Sequence, residues 1–437
     1  MFGVLGNRTY RRLFTAQVIA LTGTGLATVA LGLLAHRLAG PDAGAVLGTA
    51  LAIKMVAYVT IAPVAAVVAA RLPRRTLLVS LDLVRAGIAL ALPWVHEVWQ
   101  VYLLVFLVQA ASAAFTPAFQ ATIPDVLTDE REYTGALALS RLAYDLESLL
   151  SPLLAATALA VVSFDHLFLG TSLGFLASAA FVVSVLLPSP RPARRVRGGG
   201  VRVYLATPRL RGLLAVHLAV AAAGSMVFVN TVTSVRDLLG RDAADVALAL
   251  GANGCGSLVV ALVLPRVLER HADRTVMVRA AFLLAAALVA AVPVLASTGA
   301  WRWPALLALW AVVGAGSALV LTPAARLLRR SAAAADRPAL FAADFALSHA
   351  CWLLCYPLAG WLGATAGLPA ALVALAVITT GAGVAAIRLW PLHDPEVVEH
   401  DHHDLDPNHH HLVTAGGPRH AHPFRIDDVH VRWPVTP

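Results

Sequence analysis

The chain of 437 residues is 59% apolar and only 13% charged, whereas soluble domains run about 45–50% apolar and about 25% charged. That balance excludes a water-soluble fold and predicts an integral membrane protein. The net charge of +8 does not mark a nucleic-acid partner: Lys54 is the only lysine, and the arginines lie in short clusters between apolar runs, the pattern that orients membrane helices. Cys255, Cys351 and Cys355 all fall in apolar segments and form no disulfide framework.

A helix needs about 20 apolar residues to cross the hydrocarbon core. That ruler predicts twelve spans, at 13–35, 44–68, 76–95, 99–121, 135–160, 166–188, 209–235, 245–265, 275–296, 301–322, 339–363 and 368–390. Arg8, Arg11 and Arg12 ahead of the first run could mimic a secretory signal. The run is too long, lacks a cleavage site and is followed by further spans, so it reads as a retained first helix.

The arginines set the orientation. They follow the even-numbered spans, as Arg71, Arg74 and Arg75, then Arg131, then Arg191 to Arg202, then Arg266, Arg270 and Arg274, then Arg326 to Arg337. Odd-numbered connections carry far less, and in the seventh Arg236 and Arg241 are offset by Asp237, Asp242 and Asp245. Both termini are therefore expected in the cytoplasm. Proline and glycine between Pro188 and Pro208 mark a linker. The predicted fold class is an all-α membrane protein of twelve transmembrane helices in two six-helix halves. Its parts are 1–188, a linker at 189–208, 209–390, and a cytoplasmic tail at 391–437.

Ionisable groups at membrane depth are costly and are functional candidates by default. In the fifth span Arg141, Tyr144, Asp145, Glu147, Ser148, Ser151 and Pro152 share one helical arc of roughly 160°. Lipid would not tolerate that stripe, so the helix should line a cavity. Arg141 and Asp145 stand at i and i+4 and can neutralise each other. Glu147 has no such neighbour on its own helix and is the stronger candidate to take up a proton or meet a cation. Lys54, in the second span, needs a carboxylate partner, with Asp82, Asp145 and Glu147 in view. Asp82 and Arg85 read as gate or packing charges near the cytoplasmic end of the third span. In the eleventh span Asp344, Ser348, Cys351 and Cys355 share a face, while His349 points roughly 160° away from its centre. His349 could ligate a metal only with help from another helix.

Ten of the sixteen histidines fall in the tail. The expected metal ligands are His400, His402, His403, His409, His410, His411, His420 and His422, with His349 in the membrane. Imidazole is the commonest ligand for nickel, cobalt, copper and zinc. The tract lacks the paired spacing of a single zinc site and reads as a flexible, multi-site chelator. The stretch from Ala421 to Pro434 has apolar residues at intervals and is expected to dock on the cytoplasmic face.

Two stretches carry a resemblance. These are Phe345-Ala-Leu-Ser-His349-Ala-Cys351-Trp352 through Tyr356-Pro-Leu-Ala-Gly-Trp361-Leu-Gly363, and His422-Pro-Phe with Ile426-Asp-Asp, His430 and Trp433-Pro. Through them the chain resembles the major facilitator transporters, and within these the nickel-efflux group with His-rich C-terminal tails. The resemblance implies proton-driven export of nickel or cobalt from the cytoplasm by a multi-pass protein of the cell membrane. It also implies gating charges in the loops that open each half. Of the usual Gly-x-x-x-Asp-Arg-x-x-Arg-Arg pattern, Arg71, Arg74 and Arg75 are kept, Ala66 and Ala70 replace the glycine and aspartate, and the second half retains Asp273-Arg274.

The expected partners are the bilayer, protons and a small-ion or small-molecule substrate, with no nucleic acid. No cofactor is expected beyond the transported ion. No nucleophile elbow, phosphate-binding loop or ordered zinc motif points to an enzyme. The rival expectation is an exporter of a drug-like organic compound or a metal chelate.

Overall fold

The computed structural model describes residues 2–69, 72–127, 129–187, 200–332 and 337–392. In the tail it describes 394, 397–402, 406, 410–415, 417–426, 429–430 and 433–434. Six long helices come first: α1 (Arg8–Ala39), α2 (Ala43–Ala69), α3 (Arg74–Ala91), α4 (Val98–Val126), α5 (Glu130–Leu159) and α6 (Asp165–Val183). The short helix α7 (Gly200–Ala206) precedes six more: α8 (Pro208–Thr233), α9 (Ala243–Arg270), α10 (Asp273–Ala296), α11 (Arg302–Ser331), α12 (Arg337–Ala366) and α13 (Leu368–Leu389). The tail adds β1 (Val397–Asp401), α14 (His410–Ala415) and β2 (Arg419–Pro423).

Each of the twelve long helices overlaps one predicted span. Ten stretches of the described chain are apolar and long enough to cross a membrane, the first of them running through α1 and α2 together. The remaining long helix, α5, holds Arg141, Asp145 and Glu147, and many of its side chains lie outside the described residues. An even number of crossings puts both termini on one face, and the arginine clusters make that face cytoplasmic.

Backbone logic fixes the helix ends. Asn7 opens α1 by accepting from the amides of Thr9 and Tyr10 at 3.0 and 3.1 Å, and Asp242 opens α9 by accepting from Asp245 N at 2.9 Å. Gly367, with φ of 86°, makes the turn between α12 and α13.

The two six-helix groups meet chiefly where α2 packs on α12 and α5 on α9. Glycine makes the first contact possible. A Cβ on Gly48 would stand 2.5 Å from Tyr356 O and 3.2 Å from Gly360 Cα, and one on Gly360 would strike the Gly44 carbonyl. Such small residues let helix backbones approach closely in lipid. Asn230 of α8 seals the contact by donating to Ala359 O at 3.0 Å, and Trp361 donates to Thr49 Oγ1 at 3.2 Å. All of these residues lie toward the ends of α2, α8 and α12 that face away from the cytoplasm.

The buried core divides in the opposite sense. One cluster joins the whole second group to the outer ends of the first, including Leu34, Leu47, Val101, Ala155 and Phe168. The cytoplasmic ends of the first group form a separate cluster around Leu13, Leu78, Phe119, Ile123 and Leu139. Among the described residues, the buried core that joins the two groups therefore lies at their outer ends.

Candidate functional site

Near the middle of α5, Glu147 lies against α1. A Cβ on Gly25 would collide with its Oε1 and with Ser151, so only glycine leaves room for this carboxylate. Lys54 of α2 is within electrostatic range of Glu147, and its Nζ stands 6.0 Å from the centre of the Tyr58 ring. That distance is the outer edge of a cation–π contact. Lys54 also lines a cavity inside the first half beside Thr24, Thr28, Gln109 and Ser112. Of its three expected partners, Glu147 is the one found near it among the described side chains. Arg141 and Asp145 lie on α5, but their side chains are outside the described residues.

Tyr58 also reaches across to the second half. Its ring stacks on His349 with centroids 5.6 Å apart, and Phe345 lies 5.9 Å away. His349 Nδ1 is 2.6 Å from the Phe345 carbonyl oxygen. A carbonyl only accepts, so Nδ1 carries the proton and Nε2 keeps its lone pair for a proton or a metal ion. Glu147, Lys54, Tyr58 and His349 thus form a chain of groups from α1 and α5 through α2 to α12, at mid-membrane depth.

A second cluster sits closer to the cytoplasm. Tyr204 of α7 donates to Asp344 Oδ1 of α12 at 3.0 Å, and His217 of α8 brings Nδ1 to 3.6 Å of the same oxygen. His217 is 4% exposed, and neither ring nitrogen makes a hydrogen bond among the described residues. Cys351 lies within electrostatic range of Asp344. Burial, reinforced by the adjacent Asp344 carboxylate, pushes the Tyr204 phenol far above its usual range, so it stays a donor.

Four of the candidate gate charges, Asp82, Arg85, Asp273 and Arg274, have partners within their own halves. Asp82 pairs with Arg85 and accepts from Ser178 Oγ at 2.8 Å, while the Arg85 guanidinium lies between Phe115 and Phe175 at 4.1 and 4.4 Å. Asp273 pairs with Arg326 of α11. Arg274 donates to Trp390 O at 2.8 Å and Ile387 O at 3.1 Å, closing the end of α13. Arg74 is buried and Arg75 half-buried at the start of α3, and Arg71 lies outside the described residues.

The tail corrects one expectation outright. It is folded where a flexible chelator was expected. β1 and β2 pair antiparallel, with Val398 opposite His422 and His400 opposite His420. Side chains alternate along a strand, so Val398, His400 and His402 share a face with His420, His422 and Phe424. His411 from α14 and His430 complete a cage of six imidazoles. The Nε2 atoms of His400, His402 and His430 form a triangle with edges of 3.1, 3.1 and 3.2 Å, and His411 and His420 bring theirs to 2.9 Å.

His400 and His420 hold Nδ1 against the carbonyls of Val398 and Gly417, at 3.0 and 2.8 Å, which turns their Nε2 lone pairs inward. Burial, then the neighbouring imidazoles, lowers His400 and takes His402 down to about 4, which keeps both neutral. Two overlapping sets of four ligand nitrogens lie within 4.8 Å of one another: His400, His411, His420 and His422, and His400, His402, His411 and His430. An ion about 2.1 Å from each nitrogen separates its ligands by about 3.0 Å at right angles and about 3.4 Å at tetrahedral angles. The triangle fits between those values. His403 and His409 lie outside the described residues, as does the side chain of His410.

The Major Facilitator Superfamily profile matches residues 13–233 and 213–424. The chain belongs to that superfamily. Among curated proteins no sequence matches it. Solved structures share the fold at low identity. A bacterial homologue of the iron transporter ferroportin, in an inward-facing state, is 12% identical with a TM-score of 0.70, covering 87% of this chain and 98% of its own. The nucleoside transporter NupG is 11% identical with a TM-score of 0.66, over 87% and 98%. A bacterial homologue of the human lysosomal transporter Spinster, inward-facing and unoccupied, is 12% identical with a TM-score of 0.67, over 87% and 96%.

As a major facilitator transporter the protein is thus a multi-pass membrane carrier. His217, Tyr58, Tyr204, Gly25 and His430 were not among the expected site residues. Each had a signal. His217 is an ionisable group in an apolar run, and His-x-His at 400–402 and at 420–422 has the period of a strand.

Proposed function

We propose that the protein is a secondary active exporter that moves a divalent transition-metal ion, nickel or cobalt, out of the cytoplasm in exchange for protons. The observation that carries the reading is the cage of six converging imidazoles docked on the cytoplasmic face of a transporter. All-nitrogen ligand sets suit nickel, cobalt, copper and zinc and do not suit calcium or magnesium.

The intramembrane groups give this reading a mechanism. Glu147 is a carboxylate that can hold a proton or meet a cation, and a group that holds one or the other couples their movements in opposite directions. Lys54 neutralises the carboxylate when neither is bound, which limits the penalty of a lone charge in the membrane. His349 offers a bare nitrogen from the facing half. Asp344 and His217 stand nearer the cytoplasm as a second polar step. Rocking about the glycine contact of α2 with α12 would open these groups to one face of the membrane and then to the other.

A second reading is favoured by one observation, the aromatic lining of Tyr58, Phe345, Trp352 and Tyr356. Flat rings of this kind suit an organic cation or a metal chelate. Radioactive nickel flux into inverted membrane vesicles, with and without an imposed proton gradient, separates the two. Gradient-dependent nickel uptake that cobalt competes and organic cations do not is the expected result. Correctly inserted protein that accumulates an organic cation and no nickel would overturn the metal reading.

A further inference from the structure

The cage is wired to the membrane site by a continuous set of contacts. Val398, Phe424 and Ile426 form a small buried core on the tail, and Val203 and Ala206 of α7 pack against it. Phe424 touches the cage directly, with ring centroids 4.8 Å from both His400 and His430. The next residue on α7, Tyr204, is fully buried and holds Asp344 at 3.0 Å. Asp344 in turn faces His217. Trp433, 5.0 Å from Phe424, adds a tether by stacking on the guanidinium of Arg209, which also pairs with Asp394 at 3.2 Å. One seven-residue helix therefore has the metal cage on one side and an intramembrane carboxylate on the other.

We propose that the cage is a regulatory site for a borderline-soft divalent cation, and that its occupancy is transmitted through α7 and the Tyr204 hydroxyl to Asp344. The chemistry of the cage gives occupancy something to do. Nε2 atoms 3.1 to 3.2 Å apart with inward lone pairs repel one another unless a cation or shared protons lie between them. A bound ion locks the two strands, α14 and His430 into one body. It thereby fixes Phe424 and Ile426, on which α7 rests. Loss of the ion loosens that platform, and Tyr204 with it. Asp344 then holds a hydrogen bond in the loaded state that it lacks in the empty one, which alters how it meets His217 and a passing cation. The tail on this account senses cytosolic metal and sets the carrier's readiness. The proposal rests on the metal-exporter reading, and its test is independent of transport.

The test is hydrogen exchange of the full-length protein in detergent, with nickel chloride as the probe. Coupling between sites is commonly worth about 5–150-fold. Nickel is therefore expected to slow exchange at least about fivefold in both α7 and the turn of α12 around Asp344. The variant carrying His400→Ala, His402→Ala and His430→Ala should lose both effects. Tyr204→Phe should keep the protection of α7 and lose that of α12, an outcome a merely structural tyrosine would not give. If the triple variant does not fold, His430→Ala alone, which lies outside both strands, should shift the protection to higher nickel. Protection confined to 397–430 in the natural protein, or unchanged protection around Asp344 in the His variants, overturns the relay. A protein that shows the relay but moves no nickel loses the exporter reading alone; one that moves nickel without protection of α7 loses the relay alone.

Discussion

The mid-membrane site and the tail cage hold the same kinds of ligand in very different amounts. Around Glu147 the described residues supply one carboxylate, one ammonium, one imidazole and a set of aromatic rings. In the tail six imidazoles converge, and the outer nitrogens of His400 and His420 are pinned to backbone carbonyls. On the proposed function the difference follows from what each must do. A carried ion has to leave, so its site must bind weakly enough to release. An ion that reports on the cytosol has to stay, and a rich, preorganised ligand set makes it stay. The same contrast explains the surroundings: the sparse site lies where the two halves part, the rich one on a small hydrophobic core of its own.

The sharpest way to break the comparison is to remove the exchangeable carboxylate. Glu147→Gln should abolish proton-driven accumulation while the protein still inserts, and unchanged flux removes Glu147 from the mechanism. Asp82→Ala probes the opposite kind of charge, a structural one. It strands the Arg85 guanidinium between Phe115 and Phe175, and uncompensated buried charges cost about 3–5 kcal/mol. A large fall in melting temperature in detergent is expected. An unaltered melting curve would return Asp82 to the list of gating groups.

Removing the tail should have a smaller, graded effect. A chain ended after Pro391 should lose export at low cytosolic nickel more than at high nickel. That cut also removes Asp394, the partner of buried Arg209 and of Arg330. Ending the chain after Glu396 keeps this pair and isolates the cage. Equal export at all nickel concentrations from the longer form contradicts a role for the tail.

The smallest expected effect is that of pH on tail docking without metal. His400 and His402 titrate below the ordinary imidazole value of about 6.5, His402 at about 4. Above about pH 6.5 they are neutral whether the tail is folded or not, so they contribute nothing to the pH dependence. Below it the unfolded tail binds more protons, and the folded tail loses stability as pH falls toward about 4. Tail amides should therefore exchange faster on acidification across that window, and nickel should oppose the change.

Much of this plan was legible in the sequence, because spans and charge bias are local. A 20-residue apolar ruler finds helices one at a time, and the stripe on α5 follows from helical period alone. Glu147 stood out for the same reason. What the sequence hid depends on contacts between distant segments. His217 and Asp344 lie on different helices, and Tyr204 sits beside a stretch rich in proline and glycine that reads as a bare linker. Lys54 has three possible partners in the sequence, and its nearness to Glu147 depends on how α2 and α5 pack. The cage does not follow from tetrahedral zinc spacings, because the tract uses strand alternation. His-x-His flanked by Val398 and Phe424 is the pattern of one half-buried strand face, and the matching strand lies 20 residues away.

The exchange of metal for protons at Glu147 is tested most directly by following the lumenal pH of inverted vesicles loaded with protons as nickel is added outside. In the natural protein nickel should release protons from the lumen, and in Glu147→Gln it should release none. Proton release by the variant equal to that of the natural protein, or nickel accumulation with no proton movement, would contradict the account.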